Sequence, residues 1–339
     1  SSHWAKGHIN YCYTTGIIAG RGNGKFDPDA GVTGSEAAKM LLVAAGYDPK
    51  IEGLTGADWE INTNALASKL GIFRNLTASV SEPLTRDNAA LLIYNALDIE
   101  MIEKYENGYA IGFKDYRTIL STMYGVYKLE GVVVGNEWAQ LMNTDVDDAL
   151  ATGKTRLEDV MLFDSNTLST NNGMSGSAQP DVTMNVTTPV EYMGKTVTMY
   201  IRKTTVLADS EVLGVVLKDD ANVVKVVNNN NETNKDILKG SGLSFDNNTQ
   251  FYVNYGYQKT QSAALNELGV TGLKDLKAYQ NVNGVEMEII DNDNDGIVDY
   301  VLYTKEDLTV VSGTSSSKET TTLIGFNKNK AIDNDDIVT

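Results

Sequence analysis

Apolar residues recur at helical spacing through the first hundred positions, then give way near Gly125 to short runs of β-branched and aromatic residues. His3–Thr15 places Trp4, His8, Ile9, Cys12 and Tyr13 near one stripe and predicts a helix. Gly16 suits the left-handed position that ends many helices, and Ile17 and Ile18 predict a short buried step. Gly20, Gly22 and Gly24 then let the backbone turn where a Cβ would clash. Phe26 is expected to plug this loop onto a core, with Pro28 stiffening its exit. Thr33-Gly34-Ser35-Glu36 has the form of a capping box, and Met40, Leu41, Val43 and Ala44 continue it as a buried helix. Gly46-Tyr47-Asp48-Pro49 closes the unit.

The pattern comes twice. Trp4 matches Trp59, Gly16-Ile17 matches Gly71-Ile72, Thr33 matches Thr85 and Leu41 matches Ile93. The second copy predicts helices over Asp58–Leu70 and Asp87–Leu97, with a weaker cap, Thr85-Arg86-Asp87-Asn88, because Asn replaces Glu. Ile99–Ser121 reads as a connector with a helical candidate at Tyr116–Met123. Strands are predicted over Leu129–Gly135, Val182–Val186, Val190–Tyr192, Lys195–Arg202, Glu211–Leu217, Val223–Val227, Phe251–Tyr255, Val285–Ile290, Ile297–Thr304 and from Thr321 onward. Gln261–Leu276 interrupts them with helical character. Asn228–Asn231 reads as a solvated loop tip, and Ser312–Ser317 as a Gly/Ser/Thr hinge.

Composition narrows the partners. The 339 residues carry a net charge of −17, which argues against nucleic acid, whose counterions a basic surface must replace. Cys12 is the single cysteine, so no internal disulfide forms, and its place on an apolar stripe favours a small buried hydrophobe. No apolar run approaches the roughly 20 residues of a membrane-spanning helix.

The paired units resemble the S-layer homology repeat: HWA, GIIAG, GKFDPD and VTGSE occur in order in the first copy, and LTRDN is the best piece of the second. The resemblance covers Ser1–Asp98. It implies a helical anchoring module whose grooves bind pyruvylated polymers linked to peptidoglycan. Arg86 holds the arginine position of the family's T-R-x-E motif, and the resemblance implies that it faces an acidic sugar. A guanidinium offers a planar fork of donors for a carboxylate, and an adjacent helix N-terminus adds free amides. In the first copy that position is Gly34, which puts that copy's share of a groove in question. Trp4 and Trp59 could stack on a sugar face, although a core anchor of each repeat is the plainer reading, for Trp59 above all. Gly20 and Gly22 could offer backbone amides to the ligand or simply form the turn. Lys6 and Lys39 are cations that could help hold an anion, although a solvated helix face is the plainer reading. The lead-in expected before His3-Trp4 is missing and the chain ends at Thr339, just past the acidic stretch Asp333–Asp336, so a longer parent with a signal peptide and a further repeat is expected. LEGVVVGNEW and the β-rich part are loosely similar to the regions downstream of such repeats in surface-layer proteins.

Asp291-Asn292-Asp293-Asn294-Asp295-Gly296 has the front of a calcium loop. Asp291, Asp293 and Asp295 fall at alternating positions, the carbonyl of Ile297 at the seventh and Asp299 at the ninth. Leu302 stands where an EF-hand has its bidentate Glu, the flanks read as strands, and Asp-Gly also makes a tight hairpin unaided. Calcium is therefore a candidate cofactor. Only His3 and His8 are present, and no nucleophile–base spacing, nucleotide loop or zinc pattern appears.

The expected architecture is multidomain: repeats at 1–50 and 51–105, a connector at 106–128, a β-rich domain at 129–312 and the start of a further β segment at 313–339. The expected function is that of a structural, secreted cell-surface protein of the S-layer kind. It would be held noncovalently on secondary cell-wall polysaccharide, with a β-rich body able to self-assemble into a lattice or filament. The alternatives are a similarly anchored glycan hydrolase or an adhesin. A deep cleft with two facing carboxylates would mark the first, and array formation would separate a lattice protein from the second.

Overall fold

The computed structural model describes the chain apart from residues 1–2, 21–24, 142–148, 165–175, 228–233, 274–284, 306–308, 316–319 and 326–339. The loop glycines Gly22 and Gly24, the Asn228–Asn231 tip and the Asp333–Asp336 segment lie outside the described residues. Helices fill the front of the chain and several sheets the rest, the α-then-β organisation expected. The described chain divides into two compact units: residues 1–129 with 161–179 and 200–205, and residues 130–160, 180–199 and 206–339.

The first unit begins with four helices, α1 Lys6–Thr14, α2 Gly34–Ala44, α3 Trp59–Lys69 and α4 Arg86–Ala96. Its repeat is visible bond by bond. Gly16 and Gly71 both take left-handed conformations, with φ of 78° and 77°. The amide of Ile17 donates to Cys12 O and that of Ile72 to Ala67 O, both at 2.9 Å. These are the same i to i−5 closures of a glycine-ended helix. The Thr33 capping box is complete: its Oγ1 accepts from the Glu36 amide at 3.2 Å, and Glu36 Oε2 accepts from the Thr33 amide at 3.0 Å. In the second copy Thr85 Oγ1 accepts from the Asn88 amide at 3.2 Å, and Asn88 supplies no return bond of the box kind. One core serves both copies, built from Ala38, Leu42, Ala45, Leu54, Ala67, Ile72, Leu92 and Ala96. The copies are clasped where Thr33 bridges Pro83 and the Leu84 amide donates to Val32 O at 2.8 Å.

Some expectations for this part fail. Phe26 does not plug a core; it is 40% exposed. Ile17, Ile18 and Cys12 are half-buried, and no residue of α1 is fully buried. The connector contains an antiparallel hairpin, β1 Ile102–Glu106 and β2 Tyr109–Gly112. Its turn residues Asn107 and Gly108 have φ of 51° and 84°, the pair of positive values that Asn-Gly supplies to a tight hairpin. Helix α5, Ile119–Tyr124, comes next, capped by Thr118 and ended by Gly125 at φ 65°.

A six-stranded sheet comprises β3 Val126–Gly135, β4 Thr155–Leu162, β5 Ser177–Ala178, β6 Val182–Met184, β7 Thr196–Arg202 and β8 Glu211–Leu217. Its order is β5-β4-β3-β7-β8, with β6 also on β4. Val190–Tyr192, expected as a strand, is a single 3-10 turn behind Pro189, whose fixed φ starts it.

The second unit holds a five-stranded sheet of β9 Val223–Val227, β10 Gln250–Val253, β11 Gly256–Gln258, β12 Val285–Asp291 and β13 Tyr300–Lys305. The order is β11-β10-β13-β12-β9, with β10 parallel to β13 and the other neighbours antiparallel. Ile237 of the short helix α6 (Asn234–Leu238) and Ala264 and Leu265 of α7 (Gln261–Glu267) join the core formed by Met287, Ile289, Val298, Val301 and Tyr303. A last hairpin pairs β14 Thr309–Ser315 with β15 Thr320–Gly325, so the first four residues of the expected 312–317 hinge are strand.

Candidate functional site

The helical unit presents the candidate glycan contacts from separate elements. Arg86 opens α4 directly after its Thr85 cap and is exposed, with Asp87 beside it in the first turn. Its counterpart Gly34 is enclosed: a Cβ there would stand 2.8 Å from the Val80 Cα, and the Ser35 amide donates to Val80 O at 2.9 Å. The second copy's loop thus sits on the N-terminus of α2, where the family's arginine has no room. Gly34→Arg is expected to cost about 1–3 kcal/mol by overpacking, read as a lowered urea midpoint.

Trp59 is half-buried, and Lys39 Nζ sits 5.4 Å from its ring centroid. Burial pushes the Lys39 ammonium below its ordinary range. Ser35 Oγ donates to Glu60 Oε1 at 3.3 Å, one residue further along α3. The core-anchor reading fails for Trp4, which is 83% exposed with its ring 5.7 Å from that of His3. At Gly20 a Cβ would come within 2.7 Å of Lys25 O, so the glycine is required by the turn itself. The structure joins Trp59 to Lys39. Among the described residues, no hydrogen bond or ring contact joins Trp4, Gly20 or Arg86 to that pair. Lys39 as a roof for Trp59 was not foreseen; the signal was its place one turn beyond Ser35 on the α2 face that meets α3. Asn95 was also missed. It is buried and donates to Ile72 O at 3.0 Å and Arg74 O at 2.9 Å, fixing the second copy's hinge from α4.

The acidic loop joins β12 to β13. Asp291 is fully buried, and its carboxylate accepts from the amides of Asn294 at 2.7 Å, Asp295 at 3.3 Å and Gly296 at 2.9 Å. Gly296 at φ 89° and Asn294 at φ 64° permit the wrap. The carboxylates of Asp291, Asp293 and Asp299 offer oxygens within 4.8 Å of one another. Asp295 uses Oδ1 to accept from the Ile297 amide at 2.7 Å. Asp299 Oδ2 accepts from the Asn292 amide at 2.7 Å. Burial first, and the neighbouring carboxylates with it, push the Asp299 carboxyl up to about 6 against that hydrogen bond. Burial and the Asp295 charge also raise Asp293. Three hard oxygen donors of like charge, one of them buried, suit a divalent cation completed by water. Leu302, in the position of the absent bidentate ligand, is buried in β13 opposite Tyr252 and Glu288.

The first of the paired helical units, with its glycine hinge and capped second helix, is also what sequence comparison picks out. Residues 1–38 match the S-layer homology domain, so the chain carries that domain at its front. It is 29% identical over 170 residues to the Middle cell wall protein of Brevibacillus brevis, covering 48% of this chain and 15% of that protein. It is 34% identical over 107 residues to the Cell surface protein of Thermoanaerobacter kivui, covering 32% and 13%. A Surface layer protein of Brevibacillus choshinensis is 28% identical over 151 residues, covering 44% and 12%. The chain therefore spans only a small fraction of the length of these relatives. No solved structure matches it. No described helix is long and apolar enough to cross a membrane.

Proposed function

We propose that this chain is the wall-anchoring region and adjoining β-rich body of a secreted, structural cell-surface protein of the surface-layer type. The S-layer homology match at the front carries the reading, and the names of the wall and surface relatives support a structural over a catalytic role. The helical unit holds the acidic secondary polysaccharide of the wall, and the sheets form the exposed body, which associates with copies of itself. Arg86 supplies a guanidinium fork at the exposed start of α4, and Trp59 with Lys39 supplies a ring and a cation for a sugar carrying a carboxylate. Charge-assisted hydrogen bonds contribute about 1.5–3 kcal/mol. Arg86→Ala is therefore expected to weaken binding to purified wall polymer about 10- to 100-fold by titration calorimetry, leaving the melting temperature unchanged. Undiminished affinity would remove Arg86 from the site.

The same reading assigns calcium to the β12–β13 loop, held by Asp291, Asp293 and Asp299. The cation would relieve the repulsion among three carboxylates that the fold crowds together. At about a hundredfold excess over its Kd, a ligand of the folded state adds about 2.7 kcal/mol. Calcium is expected to raise the melting temperature and chelator to reverse it. Asp299→Asn should abolish the response while costing the metal-free protein little, because the amide oxygen still accepts from Asn292. An identical melt in calcium and chelator would refute the assignment.

A further inference from the structure

The turn of the β1–β2 hairpin joins an asparagine to a glycine, a pairing that no other described asparagine has. Asn107 and Gly108 are both exposed and both left-handed. Among the described residues, neither the Asn107 side chain nor the Gly108 amide has a hydrogen-bond partner. A Cβ built on Gly108 would meet nothing within 4 Å, so the turn is open on that side as well. Asn75, Asn222, Asn254 and Asn294 are also left-handed, but Leu76, Val223, Tyr255 and Asp295 follow them. A side chain on the following residue shields that residue's amide nitrogen, and glycine has none. Asp295-Gly296 is the counterpart in the second unit, and both of its groups are engaged. The Gly296 amide donates to Asp291 Oδ2 at 2.9 Å, and Asp295 Oδ1 accepts from the Ile297 amide at 2.7 Å.

We infer that Asn107-Gly108 is a site of spontaneous self-modification, with water as its co-reactant. The Gly108 nitrogen gives up its proton and attacks the side-chain carbonyl carbon of Asn107. The bond from that carbon to the side-chain nitrogen breaks, ammonia leaves, and a cyclic imide closes. Water then adds to one of the two imide carbonyls and opens the ring. One opening gives aspartate; the other gives isoaspartate, whose main chain runs through Cβ and Cγ. No electron is gained or lost. The hairpin has strands of only five and four residues, and a two-stranded hairpin is marginal alone, so its turn opens to let the nitrogen reach the carbon. The hairpin is seated on the close of the first repeat. The Ile102 amide donates to Ala45 O at 2.9 Å, and the Tyr105 hydroxyl donates to Glu52 Oε1 at 2.8 Å and accepts from the Asp48 amide at 3.0 Å. Isoaspartate lengthens a turn that must hold Glu106 opposite Tyr109, and either product sets a new carboxylate beside that of Glu106. Ageing of the chain therefore loosens the hairpin from the first repeat.

Incubating the intact chain in warm, mildly alkaline buffer and mapping its peptides by mass spectrometry tests this. The tryptic peptide Tyr105–Lys114 contains Asn107 as its single asparagine. It should exchange an amide for an acid faster than any other described asparagine, and isoaspartyl methyltransferase should label the product. Asp295-Gly296 should stay unlabelled until the chain is unfolded in urea. Gly108→Asn keeps a residue that tolerates the left-handed conformation and should slow the change several-fold. In the aged protein the Ile102 and Asp48 amides should exchange with deuterium faster than in fresh protein. Asn107 unchanged in the folded chain while urea-unfolded chain reacts there, a rate no greater than that of the other described asparagines, or unaltered exchange at Ile102 and Asp48 after conversion would each overturn the inference.

Discussion

Asp291→Ala should lower the stability of the second unit by about 2–3 kcal/mol. The carboxylate is fully buried and accepts three backbone amides, those of Asn294, Asp295 and Gly296. Alanine leaves the Asn294 and Gly296 amides without this acceptor, at about 1–3 kcal/mol for each that water cannot reach, while the Asp295 amide keeps Asp293 Oδ1 at 3.1 Å. Asn294 is exposed, so water recovers part of its loss, and the total stays below that of two fully buried donors. The effect should be seen as a shifted urea midpoint and as faster amide exchange confined at first to Asn294–Gly296. Asp291→Asn keeps one acceptor oxygen and should cost about half as much. A wild-type midpoint for the alanine variant would mean that the loop is held by something other than this carboxylate.

Leu42→Ala should cost about 2–5 kcal/mol, the range for a fully buried leucine whose site does not collapse. Leu42 belongs to the one core on which α2, α3 and α4 converge, beside Ala38, Ala67 and Leu92. A domain's net stability is itself only about 5–15 kcal/mol, so the loss is a large share of it. Because both repeats share that core, they should melt together and earlier, and wall binding should fall with the melt. Leu42→Val should show the same pattern at a smaller cost. Loss of one repeat's helical signal while the other persists would contradict the shared core.

The legible parts of the fold were those written in local chemistry. The Thr33 box, the Gly16 and Gly71 hinges and the acidic loop all act over a few neighbouring residues, so spacing alone located them. What escaped was set by distant contacts. Nothing near Gly34 announces that Val80 will lie against it, and nothing near Lys39 announces Trp59 beneath it. Trp4 and Phe26 have core-forming side chains, yet both are exposed, with no element among the described residues covering them. The Asn107-Gly108 hairpin is different: its turn signal is present in the sequence, but the flanking strands, of four and five residues, alternate too poorly to stand out. Val190–Tyr192 misled for the opposite reason, since a β-branched, aromatic run of three is too short for propensity to outweigh the proline before it.

The proposed wall retention rests on the helical unit, and co-sedimentation with purified sacculi tests it most directly. The intact chain should pellet with sacculi carrying their secondary polysaccharide and stay in solution with sacculi stripped of it, and Arg86→Ala should shift it toward solution in the first case. Equal pelleting with intact and stripped sacculi, or none with either, would contradict the account.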